Sequence, residues 1–367
     1  MTKLHELSEL GQAIWFDYIR RAFITQGELE ELLVAGVRGV TSNPTIFEKA
    51  IAGSDDYDDD LRRLLAAGTS IYEALVLDDI ARAADLLRPL YDATNGLDGY
   101  VSLEVSPTLA HNTDGTVAEA RRLFAALGRP NVMIKVPATP AGIPAIQTLI
   151  GAGMNINVTL IFSPAQYEAV AAAYLAGLET LAARGGDLCT VGSVASFFIS
   201  RVDTAVDRML KTLDANDLLG KTAIANAKVA YARFRELFSG PRWERLVARG
   251  ARAQRPLWAS TGTKDPHLPD TLYVDALIGP DTVNTVPPAT FHAFVEHGTV
   301  AATLHSGLAE ARGHLAKLAE LDIDLDTITQ RLQDEGVAAF VTSFETLMAS
   351  IAHKRERLQT QDTRGAS

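Results

Sequence analysis

Cysteine is nearly missing from this chain: one, Cys189, stands in 367 residues. A lone cysteine excludes an intramolecular disulfide and any multi-cysteine metal cluster within the chain. It fits a reducing compartment. The eight histidines are scattered and form no HExxH pair, so no metal site is indicated. No uncharged apolar run of about 18 residues has transmembrane character. The nearest, Ile143 to Phe162, is interrupted by Pro, Gln, Asn and Gly. The start, Met1-Thr2-Lys3-Leu4-His5-Glu6, lacks a signal-peptide layout. Positive charge is also short. Lys and Arg total 34 against 45 Asp and Glu, a net charge of −11. That balance argues against a nucleic-acid or anionic-membrane binder and leaves room for a local basic pocket. The expectation is a cytoplasmic protein.

Hydrophobic residues make up 47 %, which supports a large buried core. At roughly 150 residues per domain, length suggests two domains, but α/β barrels run past about 250 residues as one. Short apolar runs alternate with helical patterns. Strands are expected at Ala13 to Ile19, Gly36 to Ser42, Tyr100 to Val105, Val132 to Val136, Asn155 to Phe162, Leu188 to Ser193, Pro256 to Ser260 and Thr282 to Val286. Helical patterns cover Ala118 to Leu127, Pro164 to Arg184, Arg201 to Leu213, Thr222 to Phe238, Leu304 to Leu321 and Ile323 to Gln359. Such alternation predicts a parallel sheet covered on both faces. Eight strands fit a single-domain (β/α)8 TIM barrel over residues 1–367, with a doubly wound open sheet as the alternative. Residues 359–367 read as a flexible polar tail.

Several tempting motifs fail. Gly220-Lys221-Thr222 resembles the end of a phosphate-binding loop, but position 215 is Ala215 and no strand precedes it. Gly151-Ala152-Gly153 lacks the third glycine of a dinucleotide fingerprint. The acidic run Ser54 to Asp60 lacks the turn glycine and terminal glutamate of a calcium loop and reads as a helix start. No cofactor is indicated.

Ionisable groups inside apolar runs carry more information. Of nine lysines, only Lys135 lies in a strand-like run, Val132 to Pro137. Burial favours the neutral amine, and a neutral amine is a nucleophile suited to Schiff-base chemistry with a carbonyl substrate. The alternative is a strand-end lysine that reaches solvent or a carboxylate. Asp17 and Glu104 share the pattern, in Ile14 to Ile19 and Val101 to Val105. Aldol cleavage needs proton transfers at a carbinolamine and at a substrate hydroxyl, so two acids beside one lysine make chemical sense; an ion pair or a helix cap is the alternative. Asp275 reads as structural. Polar residues recur near the ends of other expected strands: Asn43, Asn157 and Thr159, Ser196 and Arg201, Ser260 and Lys264. In a closed barrel such ends converge on one face.

At these residues the sequence resembles transaldolase. Gly39 to Phe47, GVTSNPTIF, is similar to one family signature. Val132 to Thr139, VMIKVPAT, with Asn155 to Ser163, NINVTLIFS, is similar to the second. The stretch Asp281 to Pro287 resembles an actinobacteria-like subgroup, some of whose relatives carry a fused phosphoglucose isomerase that this chain is too short to contain. The resemblance implies a cofactor-free barrel enzyme of the pentose phosphate pathway. It would move a dihydroxyacetone unit from sedoheptulose 7-phosphate to glyceraldehyde 3-phosphate. It implies Lys135 as Schiff-base nucleophile, Glu104 and Thr159 as holders of the reacting water, and Asp17 as acid/base in carbon–carbon cleavage. Asn43, Asn157 and Ser196 would bind hydroxyls, Phe198 would shape the site in favour of transfer, and Arg201 would bind phosphate. Family members place a second phosphate-binding arginine after the seventh-strand serine; here Ser260 and Lys264 stand in for it. The rivals are a simple Schiff-base aldolase and a catalytically inactive binding barrel. Monomer and homodimer both remain open.

Overall fold

The computed structural model describes residues 2–67 and 71–365. Eight strands close a barrel in which every neighbouring pair is parallel. They are β1 (Gln12–Phe16), β2 (Gly39–Thr41), β3 (Tyr100–Glu104), β4 (Val132–Pro137), β5 (Ile156–Ile161), β6 (Ser193–Phe198), β7 (Arg255–Ala259) and β8 (Thr282–Val286). Every residue of all eight is buried. Burial on both faces is what a parallel sheet wrapped in helices requires. Gly39 shows how closely the interior packs: a Cβ there would stand 2.6 Å from the Trp15 ring.

The sixth strand departs from expectation. Leu188–Thr190 forms a 3-10 turn, stabilised by the Asp187 carboxylate accepting from the Cys189 amide at 2.9 Å. The strand begins at Ser193 and runs through Val194-Ala195-Ser196-Phe197-Phe198. Serines interrupt the apolar pattern there, which displaced the expectation by about one strand length. Ser196 therefore lies within β6 instead of beyond it.

The segment between β2 and β3 holds helices that the sequence reading left unassigned, at Pro44–Ala52, Asp58–Ala67 and Ile71–Ala93. The acidic run does open a helix at Asp58. Within that run Asp56 pairs with Arg20 at 2.9 Å, Asp60 with Arg21, and Asp58 with Lys354 at 3.3 Å. Asp275 accepts from the Thr271 hydroxyl and the Thr299 amide, a structural role. A long C-terminal helix, Leu325–Gly365, packs along the helix Pro44–Ala52. It extends through most of the stretch expected as a tail; residues 366–367 lie outside the described part. No helix among the described residues is long and apolar enough to cross a membrane.

Candidate active site

Strand register aligns the central groups. Glu104 pairs with Lys135 across β3 and β4, and Lys135 pairs with Asn157 across β4 and β5. Parallel register thus sets an acid, an amine and an amide in one row on three adjacent strands. Lys135 is 5 % exposed. Its Nζ donates to the Ser42 carbonyl at 2.9 Å and stands 3.4 Å from Glu104 Oε2.

A cavity of about 590 Å³ opens beside this row. Asp17, Asn43, Lys135, Thr159, Ser196, Phe198, Arg201, Ser260 and Lys264 line it. Glu104 and Asn157, the other two expected residues, do not. Glu104 instead lines an adjoining chamber of about 210 Å³ whose wall includes Ser42 and Asn43. Asn157 is fully buried behind Ser196: Ser196 Oγ donates to Asn157 Oδ1 at 2.7 Å, and Asn157 Nδ2 donates to Ser102 Oγ at 3.1 Å.

Asp17 follows the last residue of β1 and is tied to the barrel by its amide, which donates to the Val286 carbonyl at 2.9 Å. The Thr41 hydroxyl donates to its carboxylate at 2.6 Å and lies 2.6 Å from the Thr285 hydroxyl. Burial pushes the Asp17 carboxyl up from its ordinary value, while the Lys135 charge and the Thr41 hydroxyl pull it back. Burial likewise raises Glu104, Lys135 opposes this, and the Asp17 charge adds to the rise. The two acids therefore hold protons more readily than free carboxyls while sharing one cation.

Among the described residues, two side-chain oxygens buried at the site make no hydrogen bond within the protein: Glu104 Oε2, which stands 3.4 Å from the Lys135 amine, and Thr159 Oγ1. Buried polar atoms are nearly always satisfied, so each oxygen marks a place for a water or a substrate oxygen, Thr159 on the larger cavity and Glu104 on the smaller chamber. The backbone around Thr159 is specialised. The β5–β6 register shifts between Val158 and Ile161, and Leu160 takes a left-handed φ of +59°. Such a conformation costs about 1–3 kcal/mol outside glycine and persists where the surroundings enforce it.

Asn43 caps the helix Pro44–Ala52, its Oδ1 accepting from the Ile46 amide at 3.0 Å. The cap fixes the side chain at the cavity wall. Phe198 packs on Phe162 with ring centroids 5.2 Å apart, and the Arg201 guanidinium lies 5.3 Å from the Phe198 ring centre. Arg201 makes no ion pair among the described residues, and burial lowers its pKa, with Glu335 opposing. Ser260 also has a left-handed φ, +56°, and its Oγ lies 3.0 Å from Ser200 Oγ. Lys264 is exposed at the rim.

The sequence reading missed Thr41, whose hydroxyl donates to Asp17, Thr285, whose hydroxyl meets that of Thr41, and Lys49 and Phe340, which also line the cavity. Thr41 sits within the quoted GVTSNPTIF stretch and was within reach. Lys49 and Phe340 lie on helices, where nothing local distinguishes them from surface and packing residues. An amine held between a carbonyl and a carboxylate, facing an acid and ringed by cations, is equipped for covalent chemistry on a carbonyl compound that carries an anionic group.

A family model described as Transaldolase/Fructose-6-phosphate aldolase matches residues 14–351. A protein named Transaldolase from Thermobifida fusca is 52 % identical over 359 residues, covering 96 % of this chain and 98 % of its own. One so named from Parafrankia sp. (strain EAN1pec) is 51 % identical over 363 residues, covering 97 % and 98 %. Transaldolase 2 of Nostoc punctiforme is 46 % identical over 369 residues, covering 96 % and 97 %.

Proposed function

We propose, for a chain that belongs to the transaldolase/fructose-6-phosphate aldolase family, that it transfers a dihydroxyacetone unit between sugar phosphates through a Schiff base on Lys135. The donors are sedoheptulose 7-phosphate and fructose 6-phosphate, and the setting is the pentose phosphate pathway. The observation that carries this reading is the buried Lys135 amine, held 2.9 Å from the Ser42 carbonyl and 3.4 Å from Glu104 on a cavity with a cationic rim.

The Lys135 amine adds to the ketose C2 carbonyl, and the former carbonyl oxygen takes a proton to give a carbinolamine. Loss of that oxygen as water gives the iminium. Glu104 and Thr159, with their unpartnered oxygens, hold this departing water and return it at hydrolysis. Asp17 then takes the proton of the C4 hydroxyl; the C3–C4 bond breaks, its electrons pass into the iminium, and an aldehyde leaves from an enamine. An acceptor aldehyde enters, the enamine attacks it, and Asp17 returns the proton to the new hydroxyl. The raised Asp17 suits both duties, since a group that holds its proton more readily is a better base.

Ser196 and Asn43 bind hydroxyls of the dihydroxyacetone unit, with Asn157 acting through Ser196. Arg201, steadied on the Phe198 face, takes the phosphate, with Lys264 and Ser260 in support. Phe198 places no hydroxyl where it could hold a second water against the enamine, which favours transfer over simple aldolase release. The test is product analysis with fructose 6-phosphate as donor. Sedoheptulose 7-phosphate and glyceraldehyde 3-phosphate form when erythrose 4-phosphate is supplied. Release of free dihydroxyacetone at the same rate without an acceptor would make the enzyme a simple aldolase instead.

A further inference from the structure

The C-terminal helix meets the catalytic strands through Gln333. This residue is 1 % exposed, and its side-chain Nε2 donates to two main-chain carbonyls, Ala138 at 3.0 Å and Leu160 at 2.9 Å. Both acceptors adjoin the reactive row. Ala138 stands three residues after Lys135, and Leu160 directly follows Thr159. Leu160 is also the left-handed residue inside the β5 register shift. A bulge re-aims side chains, so the backbone at Leu160 determines where the Thr159 hydroxyl points. One turn further along the helix, a Cβ on Gly336 would lie 2.8 Å from Leu160 Cδ2 and 3.4 Å from Arg201 Nη1. The helix therefore packs against the Leu160 side chain, and a methyl group at 336 would push the tip of that side chain aside.

We propose that Gln333 is a positioning residue: by holding the Ala138 and Leu160 carbonyls together it keeps the β5 bulge that sets the Thr159 hydroxyl on the cavity it shares with Lys135. A helix more than 170 residues away in sequence then sets the rate of the water steps, imine formation and imine hydrolysis. The inference rests on the reading of Lys135 as the Schiff-base amine. It assigns the helix a duty in chemistry distinct from covering the core.

The test uses Gln333→Met, which keeps the length of the side chain and removes both donors. Three quantities are measured: loss of ¹⁸O from C2-labelled fructose 6-phosphate, which reports imine formation and hydrolysis without an acceptor; KM for the phosphorylated donor; and Tm. Exchange per folded site falls roughly tenfold or more, as expected when a reacting group is misplaced, while KM changes by less than about threefold. The losses are coupled. Thr159→Val alone slows exchange about as much, yet adds less than about threefold in the Gln333→Met background. A lowered Tm with unchanged exchange, or losses that multiply, overturns the proposal. If Gln333→Met does not accumulate as folded protein, Gln333→Asn enters the same cycle, because it withdraws the same amide from both carbonyls by one methylene; unchanged exchange there overturns the proposal too. Borohydride treatment of the wild-type enzyme with donor separates the layers. No adduct at Lys135 overturns the underlying reading and this inference together. An adduct accompanied by multiplying losses overturns this inference alone.

Discussion

Replacing Lys135 by methionine leaves two carboxyls without the ammonium that steadies them. Glu104 is 9 % exposed with its Oε2 3.4 Å from Nζ, and Asp17 feels the same charge. In the wild type, burial raises both carboxyls and Lys135 pulls both back. Without the amine, both rise further in the folded state, while the unfolded chain is unchanged. A carboxyl whose folded pKa exceeds its unfolded value contributes stability that is fully present below the unfolded value and is lost as pH rises through the folded one. Lys135→Met therefore stays close to the wild type below about pH 4. It falls behind at higher pH by about 1.4 kcal/mol per pH unit for each carboxyl, over the interval between that group's wild-type and variant pKa. The deficit is bounded at about 3–5 kcal/mol, the cost of leaving one partner of a buried pair alone. Urea unfolding between pH 4.5 and pH 8.5 measures it. Adding Glu104→Gln to Lys135→Met recovers most of the loss, because Glu104 is the acid in contact with the amine. A deficit independent of pH, or a double variant no more stable than the single one, would refute the coupling.

Three further outcomes follow from the same geometry. Arg201→Ala lowers kcat/KM for fructose 6-phosphate by roughly tenfold to a hundredfold, the loss of one charge-assisted contact, and affects fructose far less; equal losses on both sugars would assign Arg201 to the fold or the chemistry. Thr41→Val removes a hydrogen bond that stabilises ionised Asp17, so the acidic limb of the pH–kcat/KM profile moves to higher pH; a limb that stays put or moves down contradicts the role of Asp17 as base. Asp203, which accepts from the Ala223 amide and the Tyr273 hydroxyl, is pushed by burial up to about 7. Its stabilising contribution is present below about pH 4 and lost as pH rises to 7, by about 4 kcal/mol at most, and Asp203→Asn flattens that slope in a stability–pH series.

The barrel was legible because parallel strands covered on both faces read as short apolar runs, and seven of the eight ran true to that pattern, six with shifted ends and the eighth strand with the expected bounds. The sixth misled because Ser193 and Ser196 look like loop chemistry, yet Ser196 is an inward-facing strand residue with Asn157 as its partner. Lys135, Asp17 and Glu104 stood out for one reason: a charge inside an apolar run is costly and calls for an explanation. Register, which lines Glu104 and Lys135 up with Asn157, is a property of strand pairing and has no local trace. The same holds for Gln333 and Phe340, whose helical neighbourhood gives no sign that one bonds to the barrel strand and the other lines the cavity.

The covalent role of Lys135 is tested most directly by borohydride reduction in the presence of fructose 6-phosphate, followed by peptide mass spectrometry. The account predicts a single reduced dihydroxyacetone adduct on the peptide containing Lys135, absent from Lys135→Ala although that variant stays folded. An adduct on Lys264, Lys49 or any other lysine, or no adduct in an enzyme that still transfers the three-carbon unit, would contradict it.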